Sequence, residues 1–127
     1  MSQKIIYSIA ESPAHPDLHA LYTSLNYSER HFTSTRKAIQ ALKKDLPDVL
    51  IADFIYGYGN NYAGVNVCNL DVFMYTLAKY QVDIPLILFS EKAEVKFIEK
   101  FSELFTIKDF LTYPIDTEKL EGILKLL

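Results

Sequence analysis

Five short runs of apolar, mostly β-branched or aromatic residues alternate along the chain with stretches whose apolar positions recur at helical spacing. Lys4–Ile9 is such a run and predicts a first strand. In residues 15–26, Leu18, Leu21, Tyr22 and Leu25 share one helix face, and Asp17 sits at its favourable N-terminal end. Residues 30–33 predict a short second strand. Thr35 is positioned to cap a helix whose face is Ala38, Ile39, Ala41, Leu42 and Leu46, and Pro47 ends it. Pro47 and Asp48 then introduce Val49–Asp53, an apolar run that closes on an acid. That pattern predicts a buried parallel strand delivering one carboxylate to the end of a sheet.

The next fourteen or so residues are different. Residues 54–67 hold Gly57, Gly59 and Gly64, three of the four glycines, together with Asn60, Asn61, Tyr56, Tyr58 and Tyr62. They predict a long surface loop. Helical spacing resumes with Leu70, Phe73, Met74, Leu77 and Ala78, with Asn66 or Asn69 as the cap. Residues 84–89 predict a fourth strand ending at Ser90. A helix with Val95, Phe97, Ile98, Phe101, Leu104 and Phe105 follows, then a fifth strand over residues 107–111. After Tyr113 and Pro114, Asp116 or Thr117 caps a last helix carrying Leu120, Ile123, Leu124 and Leu127. Strand–helix alternation of this kind implies a parallel sheet covered on both faces, an α/β three-layer sandwich. There is no internal repeat or linker, so residues 1–127 are expected to form one domain.

Composition narrows the function classes. Half of the 127 residues are hydrophobic and 23% are charged, ordinary values for a globular protein. A net charge of −3 argues against general nucleic-acid binding. The single cysteine, Cys68, excludes an intrachain disulfide and suits a reducing cytoplasm as a buried thiol. No apolar run has the length of a membrane span, and the first residues lack the apolar core of a signal peptide. A cytoplasmic protein is expected.

Asp53 is the first candidate for chemistry, because open α/β sheets build sites at the carboxyl ends of their strands. The alternative is an acid that only caps the turn after a strand. His15 and His19 stand four apart, the spacing of two metal ligands on one helix face, but without a third ligand they are expected to be surface histidines. The loop glycines do not follow the G-x-G-x-x-G dinucleotide fingerprint. Tyr56, Tyr58 and Tyr62 are either an interaction loop, since tyrosine is favoured at interfaces, or a lid over the strand ends. Lys96, Glu99, Lys100 and Glu103 are expected to form a solvated helix face.

Three stretches, Pro47 to Asp53, Ile84 to Ser90 and Asp109 to Ile115, carry a resemblance to the receiver domain of bacterial two-component response regulators. The similarity extends over essentially the whole chain. It implies a flavodoxin-like (βα)5 fold with strand order 2-1-3-4-5. It also implies phosphoryl transfer from a partner histidine kinase to an aspartate ending the third strand, where Asp53 stands. Ser90 falls at the family's phosphate-contacting Ser/Thr, or else caps the following helix. Phe110 falls at the aromatic that changes rotamer on activation, or is a core or half-buried aromatic. The family's acidic pair, which holds Mg²⁺ together with the phosphoacceptor, is here Ala10 and Glu11. Only Glu11 and Asp53 remain as metal candidates. Tyr113 replaces the phosphate-contacting lysine, and is expected to plug the pocket or to bond Asp53 or Glu11. Glu91 and Gly57 also depart from the pattern, at positions where the family prefers a small residue and a proline.

These departures have physical consequences. Phosphoryl transfer needs charge neutralisation from a metal and a cation. Losing a carboxylate weakens a hard-cation site, and losing the lysine removes a full charge. Each loss is worth on the order of 1–3 kcal/mol. The chain is therefore expected to be an atypical, pseudo-receiver signalling module, not an enzyme. It would act through protein–protein interaction, with a sensor kinase or downstream target as partner and with homodimerisation open. Neither nucleic acid nor membrane is expected as a partner. The first alternative is a stand-alone receiver phosphorylated on Asp53 with Mg²⁺ as cofactor. The second is a flavodoxin-like domain binding a small ligand at the same strand ends, against which the anionic character and the missing phosphate loop both speak.

Overall fold

The computed structural model describes residues 3–57 and 68–127. The strands are β1 (Lys4–Ile9), β2 (Tyr27–Phe32), β3 (Val49–Asp53), β4 (Leu86–Ser90) and β5 (Asp109–Thr112). The helices are α1 (His19–Ser24), α2 (Thr35–Ala41), α3 (Asp71–Ala78), α4 (Val95–Ser102, entered through a 3₁₀ turn) and α5 (Thr117–Lys125). All strands are parallel, in the order β2-β1-β3-β4-β5. This is the expected flavodoxin-like arrangement.

Residue alternation sorts the core into two layers. Tyr7, Ile9, Leu50, Ala52, Leu86 and Leu88 face α2, α3 and α4. Ile6, Val49, Ile51, Ile87, Phe89 and Leu111 face α1 and α5. Every residue of β3 and β4 is buried, which is why both read as unbroken apolar runs.

Several boundaries differ from the sequence expectation. α1 starts at His19 instead of residue 15, because Pro16 precedes Asp17, whose carboxylate accepts the His19 amide at 3.1 Å. It ends at Ser24, two residues before the expected end, and Asn26 just beyond it takes a left-handed φ of 67°. β2 runs over Tyr27–Phe32, starting three residues before the expected strand and ending one residue before its expected end. Ser34, not Thr35, caps α2, its Oγ accepting from the Lys37 amide at 3.3 Å. Asp116 caps α5, accepting from the Glu118 and Lys119 amides. α3 has no side-chain cap; Asn69 is engaged elsewhere, and Asn66 lies outside the described residues. β4 and β5 each begin two residues later than expected.

Candidate functional site

Asp53 ends β3 beside the end of β1, where the chain crosses to β2 on one side and to β3 on the other. This is the switch point at which such sheets form sites. Asp53 is 1% exposed. Its Oδ2 accepts from the Ser12 amide at 2.9 Å. The Nδ1 of His15 lies 3.1 and 3.2 Å from its two oxygens. Because a carboxylate only accepts, a hydrogen bond here puts a proton on Nδ1. The Tyr113 hydroxyl donates to Oδ1. Of the partners open to Tyr113, the chain thus uses Asp53. Tyr113 arrives from the end of β5, where its amide donates to the Ser90 carbonyl at 3.0 Å. The rings of His15 and Tyr113 both pack against Phe89.

His15 corrects the surface-histidine expectation: its side chain is only 4% exposed. It is not on the helix at all, but in the β1–α1 connection, which folds back over the strand ends. Glu11 lies in the same connection. Its Oε1 accepts from the Asn69 side-chain amide at 2.6 Å. Asn69 also donates to the Asp53 carbonyl at 2.9 Å and accepts from the Ile55 amide at 2.8 Å. One amide side chain therefore ties the β1–α1 connection to the end of β3.

The remaining candidates are less closely joined. Ser90 is buried, but its hydroxyl has no partner among the described residues, so it neither bonds Asp53 nor caps a helix. Phe110 is 37% exposed and lines a groove between α4 and β5, outside both core layers. Tyr56 is exposed and stacks flat on Phe97, with ring centroids 3.6 Å apart. Tyr58 and Tyr62 lie outside the described residues. Lys96, Glu99, Lys100 and Glu103 are all exposed, as expected.

A second polar cluster adjoins Asp53 and went unread in the sequence. The Ser8 hydroxyl, fully buried on β1, donates to Glu29 Oε2 at 2.6 Å. His31 Nδ1 is 3.0 Å from that hydroxyl, and His19 Nδ1 is 2.9 Å from Glu29 Oε1. The signal was available in strand alternation, since Tyr27, Glu29 and His31 must share a face once β2 starts at Tyr27. The Tyr22 hydroxyl is also buried and without a partner among the described residues.

Buried tyrosines set the pH response of this region. Burial, then the hydrogen bond to and charge of Asp53, hold the Tyr113 phenol well above its ordinary value. Burial does the same to Tyr22, with Glu29 and Asp53 adding to it. Burial and the charge of Asp45 push Tyr7 up to about 12. An unfolded chain loses these protons near pH ~10, whereas the folded chain keeps them. The folded state then binds more protons, so stability is complete below pH ~10 and falls above it. Each retained proton contributes about 1.4 kcal/mol per pH unit in that window. Urea midpoints measured between about pH 8 and 11 should decline beyond 10; a flat profile would contradict the assignment.

No protein-family model matches the chain, and no curated protein does. Solved structures do share its fold. A signal receiver domain of an HD domain-containing protein from Pseudomonas fluorescens Pf-5 aligns with a TM-score of 0.74 at 17% identity, covering 98% of this chain and 94% of that one. The signal receiver domain of a putative Luxo repressor protein from Vibrio parahaemolyticus gives 0.73 at 17% identity, covering 98% and 89%. The receiver domain of the TMAO respiratory system response regulator TorR gives 0.69 at 15% identity, covering 97% and 94%. The fold is that of receiver domains.

Proposed function

We propose that this chain, built on a receiver fold, is a pseudo-receiver: a signalling module that acts by protein–protein recognition, with phosphorylation of Asp53 absent or inefficient. The observation carrying this reading is that the Asp53 carboxylate is already occupied by Tyr113, His15 and the Ser12 amide. A phosphoacceptor needs a free oxygen and positive charge around the incoming group. Both Asp53 oxygens already face hydrogen-bonding partners, and no lysine lies within bonding distance among the described residues.

Mg²⁺ does not fit the residues present. It demands near-octahedral oxygen coordination. Ala10 offers no side-chain oxygen, Glu11 is held by Asn69, and Asp53 is bonded on both oxygens. The receiver domains sharing this fold support a protein partner in general; the proposed partner is a sensor kinase or a downstream target in the bacterial cytoplasm. No helix among the described residues is long and apolar enough to cross a membrane. A homodimer is one form such recognition can take.

The test is a backbone amide NMR titration with Mg²⁺ and then beryllofluoride, an aspartyl-phosphate mimic. The expected spectrum is unmoved by either. An Ala10→Asp/Tyr113→Lys double variant should gain a response, since it restores the missing acid and cation. Saturable shifts in the unmodified protein, spreading from Asp53 and Glu11 to Ser90 and Phe110, would replace this reading with a phosphorylated stand-alone receiver.

A further inference from the structure

α4 carries a charge pattern that the strand-end site does not use. Lys96, Glu99, Lys100 and Glu103 follow one another at intervals of three, one and three residues, so they form a single stripe along the helix. All four are exposed, turned away from the buried Ile98 and Phe101 that hold α4 on the sheet. Lys96 and Lys100 are four apart, as are Glu99 and Glu103, and like charges at that spacing repel. Lys96–Glu99 and Lys100–Glu103, three apart, attract, yet among the described residues none of the four is in an ion pair. Lys96 in the first turn and Glu103 at the C-terminal cap also stand against the helix dipole, which favours acids first and bases last.

The stripe is its own complement. Lysine, acid, lysine, acid becomes on reversal acid, lysine, acid, lysine, and the spacing is the same in both directions. A second α4 laid antiparallel, with a two-fold axis between Glu99 and Lys100, sets Lys96 against the partner's Glu103 and Glu99 against the partner's Lys100, and the reverse. Every charge then meets its opposite, and each N-terminal lysine comes to the acid at the other helix's C-terminus. A parallel arrangement in register sets like against like. Apolar surface adjoins the acidic end: Leu104, next to Glu103, is 49% exposed, and Tyr75 of α3, 50% exposed, meets Phe105 edge-on at 5.1 Å. Exposed ion pairs are individually weak, so charge selects the partner and its direction, while the apolar side chains supply contact that excludes water.

We propose that α4 is an interaction surface for a second copy of this chain, in an isologous antiparallel α4–α4 contact where the stripe of Lys96, Glu99, Lys100 and Glu103 pairs with itself and Leu104 and Tyr75 pack at its margins. The contact is small and charged, so the dimer is reversible and sensitive to salt. This deepens the recognition role proposed above by naming a partner for it. The state of Asp53 does not enter, and the beryllofluoride titration tests that separately.

The test is sedimentation equilibrium of the full chain from micromolar to millimolar concentration, at low and at high salt. A dimer is expected at low salt, weakened about tenfold when high salt screens the exposed pairs. Lys96→Glu sets acid against acid at both ends of the contact, and Glu103→Lys sets lysine against lysine, so each variant alone should be monomeric. Mixed in equal amounts, the two should associate again, because in the antiparallel register every charge then meets its opposite once more. A parallel register gives no such rescue, since Glu99 and Lys100 still face their like. Both variants keep a net negative charge, so bulk attraction does not explain the rescue. Circular dichroism of each variant checks that it is folded. The proposal is overturned by a protein that stays monomeric up to millimolar concentration, by a dimer that either folded variant leaves intact, or by a mixture that stays monomeric. Any of these would leave recognition of a different protein in place.

Discussion

Replacing Asn69 with alanine is expected to lower the unfolding free energy by roughly 2–5 kcal/mol. The side chain is nearly fully buried and makes three hydrogen bonds, two to the end of β3 and one to the β1–α1 connection. Its removal leaves the Ile55 amide, the Asp53 carbonyl and the Glu11 carboxylate each short of a partner. A buried polar group so orphaned costs about 1–3 kcal/mol, and more when it is charged. Water entering the space left behind recovers part of the sum, which sets the range below three full penalties. Urea unfolding gives the number directly. Asn69→Asp is the informative companion, because it keeps the acceptor for Ile55 but sets a carboxylate against Glu11; it should be no better than alanine. A loss under about 0.5 kcal/mol for Asn69→Ala would mean that the amide does not tie the connection to β3.

Truncating Phe101 to alanine should cost about 3–5 kcal/mol and lower the melting temperature by more than roughly 10 °C. The ring is fully buried on α4. It meets Phe54 edge-on at 5.6 Å and Phe105 at 5.1 Å. Phe54 directly follows Asp53, so this aromatic trio supports the end of β3 from beneath. Phe101→Leu, which refills most of the volume, should recover the greater part of the loss. A neutral result for Phe101→Ala would imply that α4 collapses freely onto the sheet.

The architecture was legible because its buried strands leave little choice. Val49–Asp53 appears with its observed bounds, since a wholly buried β3 must be apolar throughout and Asp53 must end it. Lys4–Ile9 was equally clear. The short helices were harder. The apolar spacing of Leu18, Leu21, Tyr22 and Leu25 is real, but it extends past the hydrogen-bonded helix because Leu18 is buried from the turn before it. Around Asp53, Tyr113 could be read because the receiver resemblance places it, just before Pro114, at the family's phosphate-contacting lysine. His15 could not, because nothing local marks a histidine that reaches its partner through a folded-back connection 38 residues away. Asn69 was misread for a general reason: an asparagine just before a helix resembles a cap whether its amide turns to the helix or away from it.

The burial of Glu29 has a consequence of another kind. The sheet is open, with β2 and β5 at its margins, and outer strands offer unpaired backbone groups to any passing chain. β5 has only four residues and begins on Asp109. β2 is longer, but Glu29 and His31 occupy its inward face where a foreign apolar strand would have to lie alongside. A strand added there would press hydrocarbon against a carboxylate already committed to Ser8 and His19. The same residues that build the polar cluster beside Asp53 thus guard the longer margin of the sheet against aggregation.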